Sequence, residues 1–205
     1  AKYYQQIYAI DVAVGMIRDA LTKSDVLSNT VIIYTSDNGF LCGSHGYGSK
    51  VLPYEEASRV PLIIYDGRSP TPGANRRHEA LTGNVDFAPT ILELAGIEIA
   101  KNTDGRSLLP LLEDPDASVH DSLPLINVWG PEKVHSLAVV TKDWKYIYWP
   151  YDEGDFEAAE ELYDLANDPL ELKNLAVDST PKTNLQCMQR LYDRTVDEWI
   201  NSSVD

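Results

Sequence analysis

The 205 residues carry a formal net charge of −15. A surface that acidic repels nucleic acid and anionic membranes, so neither is an expected partner, and any anion-binding site must be assembled locally. The 43% hydrophobic fraction supports a packed core, no apolar run is long enough to span a bilayer, and two cysteines, Cys42 and Cys187, make no disulfide framework.

The chain shows no leader-peptide pattern and opens without an initiator methionine, inside a helical repeat; it reads as a piece of a longer protein. From Tyr3 to Lys23, Ile7, Ile10, Val14, Ile17 and Leu21 recur at helical spacing, with Val12 and Met16 widening the stripe. A polar connection, Ser24 to Thr30, leads into Val31-Ile32-Ile33-Tyr34-Thr35. This continuous β-branched run predicts a strand buried on both faces, as in a parallel sheet flanked by helices. Helix followed by strand predicts an α/β fold.

That strand stops at Asp37-Asn38-Gly39, where open α/β sheets bind their ligands. Asp37 and Asn38 offer one charged and one neutral oxygen, the donors that hard cations such as Ca²⁺ prefer. Gly39, Gly43, Gly46 and Gly48 let the following loop approach a small ligand, and Lys50 closes it with a compact positive charge suited to an oxyanion. Asp-Asn-Gly is also a common turn, and both readings stand on these residues alone. His45 is the one loop residue that titrates near neutral pH; it either touches substrate or orders the loop. Tyr54, Glu55 and Glu56 are expected to order the loop behind Lys50, and Arg59 to pair with one of these carboxylates.

Val60 to Tyr65 reads as a second short strand, and Asp66 to Arg77 as a loop in which Arg68, Arg76 and Arg77 form the densest positive cluster. Asn84 to Gly96 reads as a helix with Asp86 as its N-cap, Pro89 in the first turn and Gly96 as the C-cap. Asp104 to Leu112 predicts a turn and a short helix, and Pro115 to Ser118 a linker. The expected division is therefore 1–116 and 117–205. Beyond the linker, Leu123–Trp129, His135–Thr141 and Lys145–Trp149 read as strands, the last two forming a hairpin through Lys142-Asp143-Trp144. Trp129 and His135 flank a turn, a candidate for approaching the substrate mouth. Glu161 to Leu165 is a further strand, Asp168-Pro169 a turn, and Thr183 to Trp199 a last amphipathic helix; Asn201-Ser202-Ser203 fits an N-glycosylation acceptor.

Several of these segments, in this order, resemble the sulfatase family of the alkaline phosphatase superfamily. They are Ser36-Asp37-Asn38-Gly39, Gly43 through Lys50, Pro53-Tyr54-Glu55-Glu56-Ala57-Ser58-Arg59-Val60-Pro61, Asn84 through Gly96, Asp104 through Leu112, and Glu161-Leu162-Tyr163-Asp164-Leu165 with Asp168 through Ala176. The resemblance implies a mixed or parallel sheet flanked by helices, followed by a small α+β subdomain with an antiparallel sheet and a C-terminal helix. It implies that Asp37 and Asn38 bind a divalent metal, most often Ca²⁺, and that Lys50, with His45, contacts the sulfate.

The family's nucleophile is a formylglycine hydrate, made from a Cys or Ser in a Cys/Ser-x-Pro-x-Arg motif far upstream; this sequence contains no such motif. The chain thus resembles only the C-terminal portion of a sulfatase and is expected to turn nothing over by itself. Implied partners are a sulfated small molecule or carbohydrate, and the upstream portion of the same protein. Self-association is the other expectation, because an α/β domain cut through its sheet exposes an apolar face. The resemblance implies a periplasmic, secreted or lysosomal-type compartment. A phosphodiesterase or phosphonate hydrolase of the same superfamily, or a noncatalytic binding or scaffold fragment, is the alternative.

Overall fold

Four consecutive strands organise one of the two compact units of this chain. The computed structural model describes residues 2–71, 76–128, 130–155, 157–177 and 183–202. They fall into two compact units, Ala1–Ser36 with Pro61–Arg76, and Asp37–Val60 with Arg77–Asp205.

In the first unit, helix α1 (Lys2–Lys23) precedes strand β1 (Val31–Tyr34), which pairs with β2 (Ile63–Asp66). The parallel pairing expected for β1 is not found: the two strands run antiparallel, Ile33 opposite Ile64, and every β1 residue is half-buried. A buried parallel strand needs neighbours on each edge and cover on each face; among the described residues β1 has the one partner. The predicted apolar stripe of α1 forms at the expected positions, but only Val14 and Leu21 of the helix are half-buried, while Ile7, Ile10, Met16 and Ile17 are exposed. The Arg18 guanidinium lies 5.6 Å over the Tyr65 ring, a cation–π contact. Arg68 grips the Asp66 carboxylate through Nε and Nη2, both at 2.9 Å, and those bonds hold the Asp66 carboxyl below its ordinary range. No described helix is long and apolar enough to cross a membrane.

The second unit is organised by the antiparallel sheet β3 (Leu123–Asn127), β4 (Ser136–Val140), β5 (Trp144–Trp149) and β6 (Ala159–Asp164), in that order. β3 ends at Asn127, one residue before Val128, which the sequence pattern includes in the strand; Trp129 lies outside the described residues. Side chains alternate along each strand. Val139, Tyr146 and Leu162 face helix α5 (Thr183–Ser202), where Met188, Leu185, Leu191 and Tyr192 complete a core. The Tyr146 and Tyr192 rings meet edge to face at 5.3 Å. Ala138, Ile147 and Tyr163 take the other face and pack against Leu41, Tyr54 and Ala57. The loop that carries the candidate ligands is therefore the second cover of the sheet.

Between the loop and the sheet in sequence, α3 (Phe87–Leu94) and the segment leading into α4 (Leu109–Glu113) are tied together by a buried carboxylate. Asp86 does not cap α3 as the sequence suggests. Its side chain turns back and accepts from Gly83 N (2.8 Å), Arg106 N (2.8 Å) and His120 Nε2 (2.7 Å). Three acceptor contacts satisfy a carboxylate that is fully buried, which a single cap bond would not. Thr90 extends the link, donating to Asp86 O at 2.6 Å and accepting from Leu108 N at 2.9 Å.

Lys145, on β5, is fully buried on the face turned to the loop. Its ammonium lies 2.8 Å from Glu55 Oε1 and 2.8 Å from Glu171 Oε1, and it donates to the Pro53 carbonyl at 2.8 Å. Glu171 uses its second oxygen to accept Glu55 N at 2.6 Å, at the start of the one-turn helix α2 (Glu55–Ser58). Burial raises the Glu171 carboxyl above its ordinary range, against the downward pull of Lys145. Replacing Lys145 with Ala leaves this carboxylate buried without its counter-charge and is expected to cost about 3–5 kcal/mol of stability. Guanidinium unfolding measures it; a loss below about 1 kcal/mol, the level of an ordinary substitution, would show that the triad does not anchor the fold.

Candidate active site

Asp37 and Asn38 follow β1 by a few residues, and the backbone here is held by its neighbours. Asn84 Nδ2 donates to Asp37 O at 2.9 Å, and Gly39 N donates to Ala57 O at 2.9 Å. A Cβ on Gly39 would overlap the Glu56 carbonyl, so glycine is required where the chain passes α2. Asp37 is exposed and its Oδ1 accepts Asn38 N at 2.9 Å. Asn38 donates its Nδ2 to Gly39 O at 2.8 Å, which turns Oδ1 towards Lys50; the Lys50 ammonium donates to that oxygen at 3.2 Å. The amide oxygen and the ammonium that meet are twelve residues apart in sequence.

The intervening loop is a narrow ribbon. Leu41 N donates to Ser49 O at 2.7 Å and Gly43 N to Tyr47 O at 2.9 Å. Gly43 (φ 108°) and Gly46 (φ 76°) make its tip in the left-handed region, which glycine enters without a Cβ clash. Val51, next to Lys50, also has positive φ, 74°. A β-branched residue there is strained.

His45 is placed differently from the other three candidates. Its ring stacks on Tyr54, centroids 4.0 Å apart and planes within 9°, and its Nε2 is 3.6 Å from Glu56 Oε2. Tyr54 in turn donates to the Glu161 carboxylate, 3.1 Å to Oε2, as do Tyr163 (2.7 Å) and Trp149 Nε1 (3.0 Å). Burial, then the Glu161 charge beside them, holds the Tyr54 and Tyr163 phenols well above their ordinary range, so both remain donors. Arg59 pairs with Glu55 at 3.7 Å, as expected.

Ligand atoms of His45, Glu56 and Glu171 also lie within 4.8 Å of one another. The Lys145 ammonium, 2.8 Å from Glu171 Oε1 and fully buried, already pairs with that carboxylate. Asp37 and Asn38 present oxygen donors only, the set a hard cation selects. Cys42 and Cys187 are free and exposed. His135 Nε2 is 3.1 Å from Gly130 O; its predicted companion Trp129, and the last residue of the Asn201-Ser202-Ser203 acceptor, lie outside the described residues.

Lys145, Glu171 and Glu161 are absent from the sequence-derived site. The available signal is a lysine inside an aromatic strand: Lys145 shares the inward phase of Ile147, where a charge demands partners.

The family described as N-sulphoglucosamine sulphohydrolase, C-terminal, matches residues 43–197. N-acetylglucosamine-6-O-sulfatase of Bacteroides thetaiotaomicron is 35% identical over 84% of this chain and 31% of its own, and choline-sulfatase of Rhizobium meliloti 32% identical over 99% and 38%. Among solved structures, BT4656 in complex with its substrate D-glucosamine-2-N,6-O-disulfate superposes with a TM-score of 0.84 at 30% identity, covering 95% of this chain and 40% of that one. The phosphonate monoester hydrolase of Agrobacterium radiobacter gives 0.79 at 26% identity, over 99% of this chain and 41% of that one. This chain belongs to the sulfatase family, as its C-terminal portion; it spans 31% and 38% of the two curated relatives named above.

Gly39→Ala is expected to push residues 38–41 off α2 at a cost of about 1–3 kcal/mol, as overpacking does. Thermal unfolding, with the Asn38 side-chain amide resonances as a local probe, measures both effects. An unchanged midpoint and unchanged Asn38 resonances would mean that the close approach to Glu56 does not position the ligands.

Proposed function

We propose that this chain is the C-terminal part of a metal-dependent sulfatase that hydrolyses sulfate esters of a carbohydrate, with Asp37 and Asn38 as metal ligands and Lys50 as a sulfate ligand. The observation that carries this reading is the convergence of the Lys50 ammonium on Asn38 Oδ1 at 3.2 Å, on the residue whose backbone N–H donates to the Asp37 carboxylate. An anion needs local positive charge in a chain of net charge −15, and Lys50 supplies it.

Two oxygen donors fit a hard cation such as Ca²⁺, which takes about six to eight, so the upstream portion completes the set. When bound, that cation supplies Lewis-acid polarisation of the sulfate oxygens. Lys50 binds the sulfate group and neutralises negative charge that grows on it as the ester bond breaks. Asp37 and Asn38 orient the site, and the ribbon between Asn38 and Lys50 sets their spacing. His45 serves best as a positioning residue, since its stack on Tyr54 and its contact with Glu56 order the ribbon. The nucleophile, a formylglycine hydrate, belongs to the upstream portion, so the 205 residues alone turn nothing over.

A sulfated amino sugar is the favoured substrate class, on the strength of the glucosamine-6-O-sulfatase relative and the disulfated glucosamine bound by a neighbour. The phosphonate monoester hydrolase likeness supports a second reading on the same ligands. The test uses the full-length protein with Ca²⁺, N-acetylglucosamine 6-sulfate and a phenylphosphonate monoester. We expect sulfate release, a kcat for Lys50→Met lower by about 10²–10³-fold, as for loss of one preorganised transition-state donor, and loss of Ca²⁺ dependence in Asp37→Ala. Turnover of the phosphonate alone would favour the second reading, and turnover of neither would remove both.

A further inference from the structure

We propose that His45, Glu56 and Glu171 form a second cation site, separate from Asp37 and Asn38, that takes a transition ion of the Zn²⁺ class and staples the ribbon to α2 and to the Glu171 turn. The inference stands independently of the sulfatase reading above.

His45 Nε2, Glu56 Oε2 and Glu171 Oε1 lie within 4.8 Å of one another, and they come from three separate segments of one compact unit. All three atoms are closed to water, and none makes a hydrogen bond with a described residue. His45 Nε2 and Glu56 Oε2 are 3.6 Å apart, too far for a hydrogen bond. Two ligands of one tetrahedral ion, each about 2.1 Å from it, stand about 3.4 Å apart. That spacing suits an ion held between them better than a shared proton. The Glu171 side chain is fully buried, and Lys145 faces its Oε1 at 2.8 Å outside hydrogen-bond alignment. The His45 ring is already oriented by its stack on Tyr54.

Three carboxylates, Glu55, Glu56 and Glu171, gather here around one buried ammonium, Lys145, while Arg59 reaches Glu55 at 3.7 Å from the exposed rim. Burial holds the Glu171 carboxyl above its ordinary range in spite of Lys145, so that ammonium does not offset the burial. The cluster keeps negative charge to spare, and a divalent cation is drawn by more carboxylates than there are buried ammoniums to repel it. One imidazole nitrogen with two carboxylate oxygens is a donor set that Zn²⁺ accepts, whereas Ca²⁺ takes oxygen ligands. The two cation sites are thereby distinguishable by chemistry.

The experiment strips full-length protein with a chelator, restores excess Ca²⁺ to fill oxygen-only sites, and titrates Zn²⁺ against a chromogenic competitor. Co²⁺ replaces Zn²⁺ in a parallel titration read by its visible absorption. Wild type, His45→Ala, Glu56→Gln, Asp37→Ala and His135→Ala are compared; His135 is an exposed histidine of the same unit. We expect wild type to bind one equivalent of Zn²⁺ that His45→Ala and Glu56→Gln each bind about tenfold or more weakly, the least that loss of a ligand costs. Asp37→Ala and His135→Ala should keep it. Zinc should also raise the unfolding midpoint of wild type, and not that of His45→Ala, because it binds the folded chain. No uptake by wild type overturns the inference. So does equal uptake by all five proteins, an adventitious ion only, or uptake lost in His45→Ala and kept in Glu56→Gln. Where His45→Ala does not fold, the imidazole nitrogen resonances of wild type decide: zinc must shift Nε2 of His45, and an unmoved resonance overturns the site.

Discussion

An ammonium group without access to water must be neutralised by its surroundings, and Lys145 recruits the chain to do so. Its acceptors are Glu55, Glu171 and the Pro53 carbonyl, from two segments more than a hundred residues apart. Each contact carries a mechanical consequence. Pro53 to Ser58 is fixed on β5, and the Glu171 turn is fixed to the first amide of α2. Glu171 itself holds a left-handed backbone, φ 53°, a strain that persists only where surrounding contacts impose it. Gly39 then rests on the Glu56 carbonyl and Leu41 on the sheet. The relative positions of Asp37, Asn38 and Lys50 follow from that stack.

This arrangement assigns the C-terminal sheet a role in the site without placing a ligand on it. Successive residues of β5 serve opposite faces: Tyr146 packs on α5, while Lys145 and Ile147 meet the loop. Glu161 repeats the device on β6, gathering Tyr54, Tyr163 and Trp149 on one carboxylate. Tyr54 passes the constraint to His45 by stacking. Buried polar groups joined in this way are costly to leave half-satisfied, so such a network holds one geometry rather than several. A site in which two oxygen donors and one ammonium must keep their spacing benefits from that rigidity.

Much of the chain was legible as written. The helical spacing of Ile7, Ile10, Val14 and Ile17, the β-branched run at Val31, the aromatics at Tyr146 to Trp149 and the stripe from Leu185 to Trp199 each produced the element they predict. Propensity and periodicity are local, and these elements are too. Burial was harder. The α1 stripe reads as core-facing, yet in these residues it is exposed, because a stripe records what a helix is made to meet and not what is present to meet it. Asp86 reads as a cap because caps are local; it instead accepts from Arg106 and His120, which no local pattern links to it.

For the site, Asp-Asn-Gly, the glycines and Lys50 stand in one short stretch, and their chemistry is visible from residue type and spacing. By itself, then, the sequence determined the candidate ligands, the order of elements and, through its motifs, the family. Only the tertiary structure decided which face of each strand meets the loop, that Lys145 sits between Glu55 and Glu171, and that His45 turns to Tyr54 and Glu56. The reason is that a buried charge selects its partners by proximity in space, and residues such as Glu55, Lys145 and Glu171 become neighbours only once the sheet and the loop have closed on each other.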